Sequence, residues 1–322
     1  MKFTPIAALA LAAIAASFAP AVAADDYPSR PVRLIVPFGA GGGTDNLMRI
    51  VEPVVSKALG QSLVIDNRPG GGSVIGMEVV AKADPNGYTI VATDSSLAIN
   101  PSLHPSLPYD TLKDFEPVSL LATAPVILVA HPKLNVKTIA EFVALAKSKP
   151  GQLNYASGGN GASTHLGGEL LKAAAGINLV HVPYKGTGPA MNDLIGGHVD
   201  VMFSGISSAR PFMESKALVA LAVTGDARNP AVPDVPTFKE SGLTVEASTY
   251  WAVLAPKGTP KPIIDRLSAE FATAMRDPAI IARIRELGYE AIGGGPADLA
   301  KNMHSEIEKW GNVIRKANIS IK

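Results

Sequence analysis

Cysteine is absent from all 322 residues of the sequence. Without it the chain can have no disulfide framework of the kind that stabilises small extracellular domains, and it has no thiol nucleophile. It also lacks the acceptor cysteine that a bacterial lipoprotein carries at its cleavage site. Aromatic residues are scarce at 6%, which argues against stacking surfaces for sugars or single-stranded bases.

The sequence has no excess of charge of either sign. Its 29 Lys and Arg almost balance 28 Asp and Glu, for a formal net charge of +1, and basic residues do not cluster. Proteins that bind nucleic acid neutralise phosphates with a basic surface, so this composition argues against nucleic acid as a partner.

Long apolar runs are missing except at the N-terminus. Residues 6–22 follow Lys2 and end on the small-x-small pattern at Ala21 and Ala23, which is typical of a cleaved signal peptide. The alternative, a transmembrane anchor, needs roughly 20 apolar residues and fits less well. We therefore expect a signal peptide at residues 1–23, cleavage near Ala23, and a mature protein free in the periplasm.

Strand-like and helix-like segments alternate along the remaining chain, as in an α/β fold. Residues 32–37 form a short β-branched run, and apolar residues at helical spacing follow until Gly60, which is placed to end a helix. The same unit recurs around residues 153–175. The length suits two domains of about 150 residues each.

Two glycine-rich loops, residues 39–45 and 157–165, each lie between a predicted strand and a predicted helix. Glycines let a backbone approach a ligand, and a helix start offers free N–H groups with a partial positive charge. The first loop lacks the third glycine of a dinucleotide fingerprint, where Thr44 stands, and it lacks the Lys-Ser/Thr of a P-loop. It could also be a tight turn without a ligand. In the second loop the hydroxyls of Ser163 and Thr164 can donate to an anion or cap the helix.

Catalytic and metal-binding patterns are weak. The six histidines show no paired metal-ligand spacing, and the best match to a nucleophile elbow, residues 205–209, fails at its last position, Ala209. We expect no metal, no cofactor and no catalytic residue. The alternative hypothesis is a periplasmic hydrolase acting on a carboxylate ester or amide, which would need an activated nucleophile beside a base.

With both loops placed, the chain resembles the Bug (TctC-like) family, the periplasmic receptors of tripartite tricarboxylate transporters. Seven blocks in the family's order carry the resemblance: VPFGAGGGTD at 36–45, NRPGGGSVIG at 67–76, PSLPYDTLKDFEPVSLLA at 105–122, NYASGGNGASTHL at 154–166, VPYKGTGPAMNDLIGGHVDVMF at 182–203, LAVTGDARNPAVPDVPTFKESG at 221–242 and WAVLAPKGTPKPII at 251–264.

The resemblance implies an α/β type II periplasmic-binding-protein fold, in which two α/β lobes joined by a double crossover close on a ligand like a Venus flytrap. We expect the crossovers near residues 121–126 and 247–252. Lobe 1 would then comprise residues 24–123 and 250–322, and lobe 2 residues 124–249.

The resemblance also implies a ligand-binding site between the lobes, formed by the two loops and by nearby strand ends. The expected residues are Phe38, Gly39, Ala40, Gly41, Gly42, Thr44, Thr93, Ser95, Ser157, Gly158, Asn160, Ser163, Thr164, His165, Tyr184 and Ser204. Asp45 is expected to stabilise its own helix. Lys185 is the nearest cation and also fits a solvated turn.

The function implied is capture of a small carboxylate for integral-membrane permease subunits of a tripartite transporter, or for a sensor kinase, by a monomeric protein without a cofactor. Tricarboxylates, dicarboxylates, acidic amino acids and aromatic carboxylates are all compatible with the family. The sequence departs from the common family pattern at Gly43 and at Ala162-Ser163, which bears on specificity.

Overall fold

The computed structural model describes residues 27–104, 106–316 and 319, so the predicted signal peptide lies outside the described residues. The described strands are β1 Val32–Val36, β2 Leu63–Asn67, β3 Thr89–Asp94, β4 Phe115–Ala130, β5 Asn154–Ser157, β6 Val180–Pro183, β7 Val201–Gly205, β8 Val219–Val223, β9 Ser248–Pro256 and β10 Glu290–Gly294. The helices are α1 Gly43–Leu59, α2 Val74–Ala81, α3 Ser96–Leu103, α4 Ile139–Ser148, α5 Ser163–Ala175, α6 Thr187–Ile195, α7 Ile206–Glu214, α8 Lys261–Arg276, α9 Pro278–Glu286 and α10 Pro296–Lys316.

The strands form one continuous curled sheet in the order β2-β1-β3-β9-β4-β7-β5-β6, with β8 and β10 also paired to β4. In its first half β1 runs parallel to β2 and β3, and in its second half β5 runs parallel to β6 and β7. Parallel strands need helical crossovers that cover the sheet, which explains the alternation seen in the sequence. The α/β fold class is confirmed.

Buried side chains fix each element of the first unit. Four of the five residues of β1 are buried, as in a strand covered on both faces. Helix α1 buries an apolar face that includes Leu47, Val51 and Val55, and it ends at Gly60, whose φ of 71° is the left-handed cap that glycine favours.

Strand β4 is 16 residues long and belongs to both halves of the sheet. Up to Pro125 it pairs with β9, and from Val126 onward it pairs with β7 and β8. The chain thus enters the second half along β4 and returns at the start of β9, which is the double crossover. Because the sheet is continuous across this junction, strand pairing does not set lobe boundaries, and the predicted division at residues 123 and 250 stays a prediction.

The C-terminal helices cover the first half of the sheet. Helix α8 packs against α1, β4 and β10, and α10 packs against α3 and β4. Trp310 of α10 is fully buried, and its Nε1 donates to Glu306 Oε2 at 2.8 Å. With this half anchored, the carboxyl ends of β1, β5, β6 and β7 are each followed by a helix start, and these four starts define the candidate site.

Candidate ligand-binding site

Four helices, α1, α5, α6 and α7, begin around a single cavity of about 80 Å³. Their N-cap residues all line it, and none of them has a side chain that caps its helix. An uncapped helix start carries a partial positive charge and unpaired N–H groups. The arrangement is therefore suited to a small anion. The four N-cap residues are Gly42, Ala162, Gly186 and Gly205.

Seven first-turn amides on the residues that line the cavity are free donors. No backbone acceptor in the described part of the chain takes them, although other amides near these helix starts are paired, such as those of Asn46, which donates to Gly42 O at 2.9 Å, and His165, which donates to Ala162 O at 2.9 Å. Free donors of this kind can bind a carboxylate without a neighbouring cation. The donors on the lining residues are the N–H groups of Gly43, Thr44, Ser163, Thr164, Thr187, Gly188 and Ser208.

Asp45 holds the first loop in shape rather than facing the cavity. Its Oδ2 accepts from Gly41 N at 2.9 Å and from Arg49 Nε at 2.8 Å, and its Oδ1 accepts from Asn67 Nδ2 at 3.1 Å. Burial alone would raise the pKa of Asp45, but these hydrogen bonds and the charge of Arg49 hold it below its usual value. The carboxylate is therefore ionised near pH 7, and its oxygens accept hydrogen bonds from the loop, from Arg49 and from Asn67.

Trp251 of β9 forms one wall of the cavity. Its ring lies 4.4 Å from that of Tyr289, centroid to centroid, and the Tyr289 hydroxyl pairs with Ser207 Oγ at 2.8 Å. A Cβ on Gly43 would lie 3.1 Å from the indole and 3.3 Å from the Tyr289 hydroxyl. Glycine at position 43 thus admits the indole close to the start of α1.

The hydroxyls of the second loop are arranged around the start of α5. Ser163 Oγ pairs with Thr249 Oγ1 at 2.6 Å, and Thr164 Oγ1 accepts from Gly158 N at 3.1 Å. The N-cap is Ala162, so the expectation that Ser163 or Thr164 caps the helix is wrong: both lie inside its first turn. Either hydroxyl can still donate one hydrogen bond to a ligand.

Behind the second loop lies a buried aromatic stack. His181 stacks on His165 at 4.1 Å and on Tyr155 at 4.8 Å between ring centroids. Burial, with a smaller effect of Lys172, lowers the pKa of His165 to about 4. Burial and the neighbouring His165 lower the pKa of His181 to about 3. Both rings are thus neutral near pH 7, and His165 Nδ1 accepts from Gly161 N at 3.3 Å.

The Ser157–His181 pair is the closest approach to a nucleophile beside a base in the described residues. Ser157 Oγ lies 2.7 Å from His181 Nε2, but Ser157 is fully buried and its hydroxyl also contacts Gly159. It does not line the cavity. A substrate in the cavity could not reach this hydroxyl, so the pair gives no support to the hydrolase hypothesis.

Eight of the predicted site residues come together around the cavity, five from the first loop and the residue before it and three from the second loop. They are Phe38, Gly39, Ala40, Gly42, Thr44, Gly158, Ser163 and Thr164. Lys185 also lines it, and its side chain is exposed.

The other eight predicted residues do not line this cavity. Most are buried or engaged elsewhere: Gly41 donates to Asp45, Ser95 Oγ bridges to β9 at Ser248 O and Tyr250 N, and Tyr184 donates to Asp193. Asn160 and Tyr184 line a separate, adjoining cleft. The remaining four are Thr93, Ser157, His165 and Ser204, all buried.

Several cavity residues were not predicted. Thr187 and Gly186 follow the same strand–glycine–helix pattern as the two recognised loops, so the segment at 185–188 could have been found by that signal. The others lie far from both loops in sequence and reach the cavity from the end of β3, the start of α7, the crossover strands β4 and β9, and the loop before β10. They are Asp94, Ala124, Pro125, Gly205, Ser208, Thr249, Trp251 and Tyr289.

The described residues contain no group of three or more His, Asp or Glu side chains placed to hold a metal ion. Within the same part of the chain, no helix is both long enough and apolar enough to cross a membrane.

The family model described as "Tripartite tricarboxylate transporter family receptor" (TctC) matches residues 47–319, and with it most of the chain. The chain belongs to this family. Among curated relatives, BugT of Bordetella pertussis is 36% identical over 310 residues, covering 95% of each chain. The resemblance recognised in the sequence motifs is confirmed.

Solved structures agree with this assignment. The periplasmic binding protein BugD is 35% identical, with a TM-score of 0.88 over 92% of this chain and all of that one. An R. palustris protein with adipate is 34% identical, with a TM-score of 0.89 over 92% and 99% of the two chains. MatC from Rhodopseudomonas palustris with malate is 33% identical, with a TM-score of 0.85 over 89% and 100%. The chain is thus a solute-binding protein of the TctC/Bug family, whose members are periplasmic binding proteins.

Proposed function

We propose that the protein captures a small carboxylate in the cavity where α1, α5, α6 and α7 begin, and that it does so without catalysing a reaction. The observation that carries the proposal is the convergence of four helix starts whose N-caps have no capping side chain. An external carboxylate supplies the acceptors that the protein itself leaves out. Two similar proteins hold adipate and malate, both dicarboxylates, which supports this ligand chemistry.

The bound carboxylate would be delivered to integral-membrane permease subunits of a tripartite transporter, the system after which the family model is described. Delivery to a sensor kinase is the alternative partner. The mature protein would act in the periplasm as a monomer, after cleavage of residues 1–23. Capture and release then depend on the cleft alone, since no bond in the ligand changes.

The proposal is tested by measuring ligand binding by thermal shift. The protein is first unfolded to remove any bound ligand and is then refolded. Adipate, malate, succinate and glutamate form the carboxylate panel, and glucose, ribose and inorganic phosphate form the comparison panel. A ligand at about a hundred times its Kd adds about 2.7 kcal/mol to stability, so a bound carboxylate raises the melting temperature visibly. Shifts for glucose or ribose only, with none for any carboxylate, would overturn the proposal.

A variant at one N-cap tests the helix starts directly. Gly205 has an extended backbone with φ −69° and ψ 145°, and a Cβ there meets only Ser207 Oγ, at 3.8 Å. Gly205→Asp should fold, cap α7 and place a negative charge in the cavity. We expect it to abolish carboxylate binding without lowering the melting temperature of the free protein. Gly205→Asn, a neutral cap of the same shape, is the matched control and should bind more tightly than Gly205→Asp.

A further inference from the structure

An acidic residue lines this otherwise anion-binding cavity. Asp94 stands at the end of β3, opposite Trp251 of β9 in the strand pairing, and it borders the same space as the four helix starts. Of the described residues that line the cavity, Asp94 is the one carboxylic acid and Lys185 the one cation. If ionised, this carboxylate would repel a bound anion unless a cation lay between them, so the residue needs an explanation.

The protein itself gives Asp94 only neutral partners. Ser96 N donates to its Oδ1 at 2.9 Å, while the Ser96 hydroxyl donates to Ser73 Oγ at 2.8 Å. No Lys, Arg or His of the described residues forms an ion pair with Asp94. Burial raises the pKa of this carboxyl. Ionised carboxylates away from water are normally paired with a cation.

We propose that Asp94 binds a protonated amine of the ligand, so that the molecule captured is a small amino-carboxylate rather than an unsubstituted dicarboxylate. This inference rests on the proposed function and deepens it. The carboxylate of the ligand lies on the helix starts, and its ammonium group pairs with Asp94. The helix starts then hold the carboxylate of one zwitterion, and its ammonium supplies the cation that stabilises the ionised form of Asp94.

A purely structural role for Asp94 makes a different prediction. The Ser96 N–H contact is a local turn that would stabilise the start of α3 with any side-chain acceptor. Under that role, Asp94→Asn keeps Oδ1 as an acceptor and leaves ligand choice unchanged. The two roles therefore differ in selectivity and not in folding.

The experiment measures binding of matched pairs to the full mature protein by calorimetry at pH 7.5. The pairs are aspartate and succinate, glutamate and glutarate, and γ-aminobutyrate and butyrate, whose members differ only in an amine. We expect the wild type to bind the amine-bearing member at least tenfold more tightly in one pair or more. Asp94→Asn should reduce that preference at least tenfold, Asp94→Ser should do the same, and Asp84→Asn, an exposed carboxyl on a turn, should leave it unchanged.

The outcomes separate the inference from the function beneath it. If carboxylates bind the wild type but amines confer no preference, or if the preference survives in both Asp94 variants, the inference is wrong and the proposed function stands. If adipate or malate binds while no amine-bearing compound does, the inference is also wrong. If no carboxylate of either panel binds the wild type, the proposed function itself fails.

Discussion

Trp251 Nε1 donates a hydrogen bond to Thr44 Oγ1 at 3.1 Å, between residues 207 positions apart in sequence. The bond ties the first turn of α1 to β9, the strand by which the chain returns from the second half of the sheet. Both residues line the cavity. The position of one helix start relative to the crossover is thus fixed by a single buried donor and acceptor.

Gly43→Ala should disturb this contact. The new Cβ would lie 3.1 Å from Trp251 Cζ2, closer than side chains ordinarily pack, so the indole has to move away from Thr44. We expect a loss of roughly 1–3 kcal/mol in the free energy of unfolding, measured by urea denaturation.

A double-mutant cycle with Trp251→Phe identifies the cause. Phenylalanine lacks the outer indole atoms, so Gly43→Ala should cost less in that background. Equal costs in the two backgrounds would show that the Trp251 contact is not what excludes alanine.

Asp45→Asn should destabilise the first loop. The substitution removes the charge that pairs with Arg49 and weakens the acceptor for Gly41 N in a side chain that is 1% exposed. We expect a loss of about 2 kcal/mol in unfolding free energy at pH 7. Arg49→Gln, which removes the exposed partner of the same pair, should cost less than about 1 kcal/mol. A larger cost for Arg49→Gln would contradict this account.

Ser163→Ala should weaken ligand binding more than it weakens folding. Ser163 lines the cavity at the start of α5, and a hydrogen bond to a charged group contributes about 1.5–3 kcal/mol. We expect at least a tenfold rise in Kd for the best carboxylate of the panel, measured by calorimetry. Ser148→Ala, at an exposed serine of α4, is the control and should leave Kd unchanged.

Stability should fall in mild acid because of the histidine stack. The folded-state pKa of His165, about 4, lies below the ordinary value of 6.5, so folding favours the neutral ring. The stabilisation is complete above about pH 6.5 and is lost as the pH falls toward 4. At pH 5 the protonation of His165 in the unfolded chain should already have lowered the free energy of unfolding by about 2 kcal/mol. In the folded protein His165 is protonated only near pH 4, where it would lose the role of acceptor for Gly161 N, so ligand affinity should fall at a lower pH than stability does.

Urea denaturation between pH 7.5 and 5 measures this dependence. His165→Gln should reduce the loss of stability toward pH 5 without abolishing it, since His181 also has a lowered pKa, and His304→Gln, at an exposed position of α10, should leave the loss unchanged. An unchanged profile in His165→Gln would assign the acid sensitivity to other groups.

The repeating strand–loop–helix pattern was readable because it is local. The apolar run of β1, the helical spacing of α1 and the stop at Gly60 all lie within thirty residues. Helices α3 and α7 were missed because each is short, with eight and nine residues, and is interrupted by a proline, Pro101 and Pro211. Helix α1 also contains a proline, but its 17 residues leave enough of the helical spacing to recognise. The extent of β4 was also not predicted, because Pro117 and Pro125 stand within it.

Some residues of the candidate site could likewise be predicted from local sequence and others could not. The two glycine-rich loops can be recognised in the sequence from their composition. Thr249, Trp251 and Tyr289, in contrast, reach the cavity only because strands distant in sequence pair with each other. Neither spacing nor residue type reveals such pairing in one sequence. Asp94 was not predicted as a site residue because an acidic side chain is not expected where an anion binds.

The 16-residue β4 also sets the mechanics of the cleft. Because one unbroken strand pairs with β9 up to Pro125 and with β7 and β8 beyond it, the two halves of the sheet are held together at this junction. Ser248 lies opposite Pro125 in the pairing, and the neighbouring Thr249 contacts Ser163. A ligand against Ser163 would therefore lie beside the point where the two halves of the sheet are joined, and we expect its size to influence the angle between them.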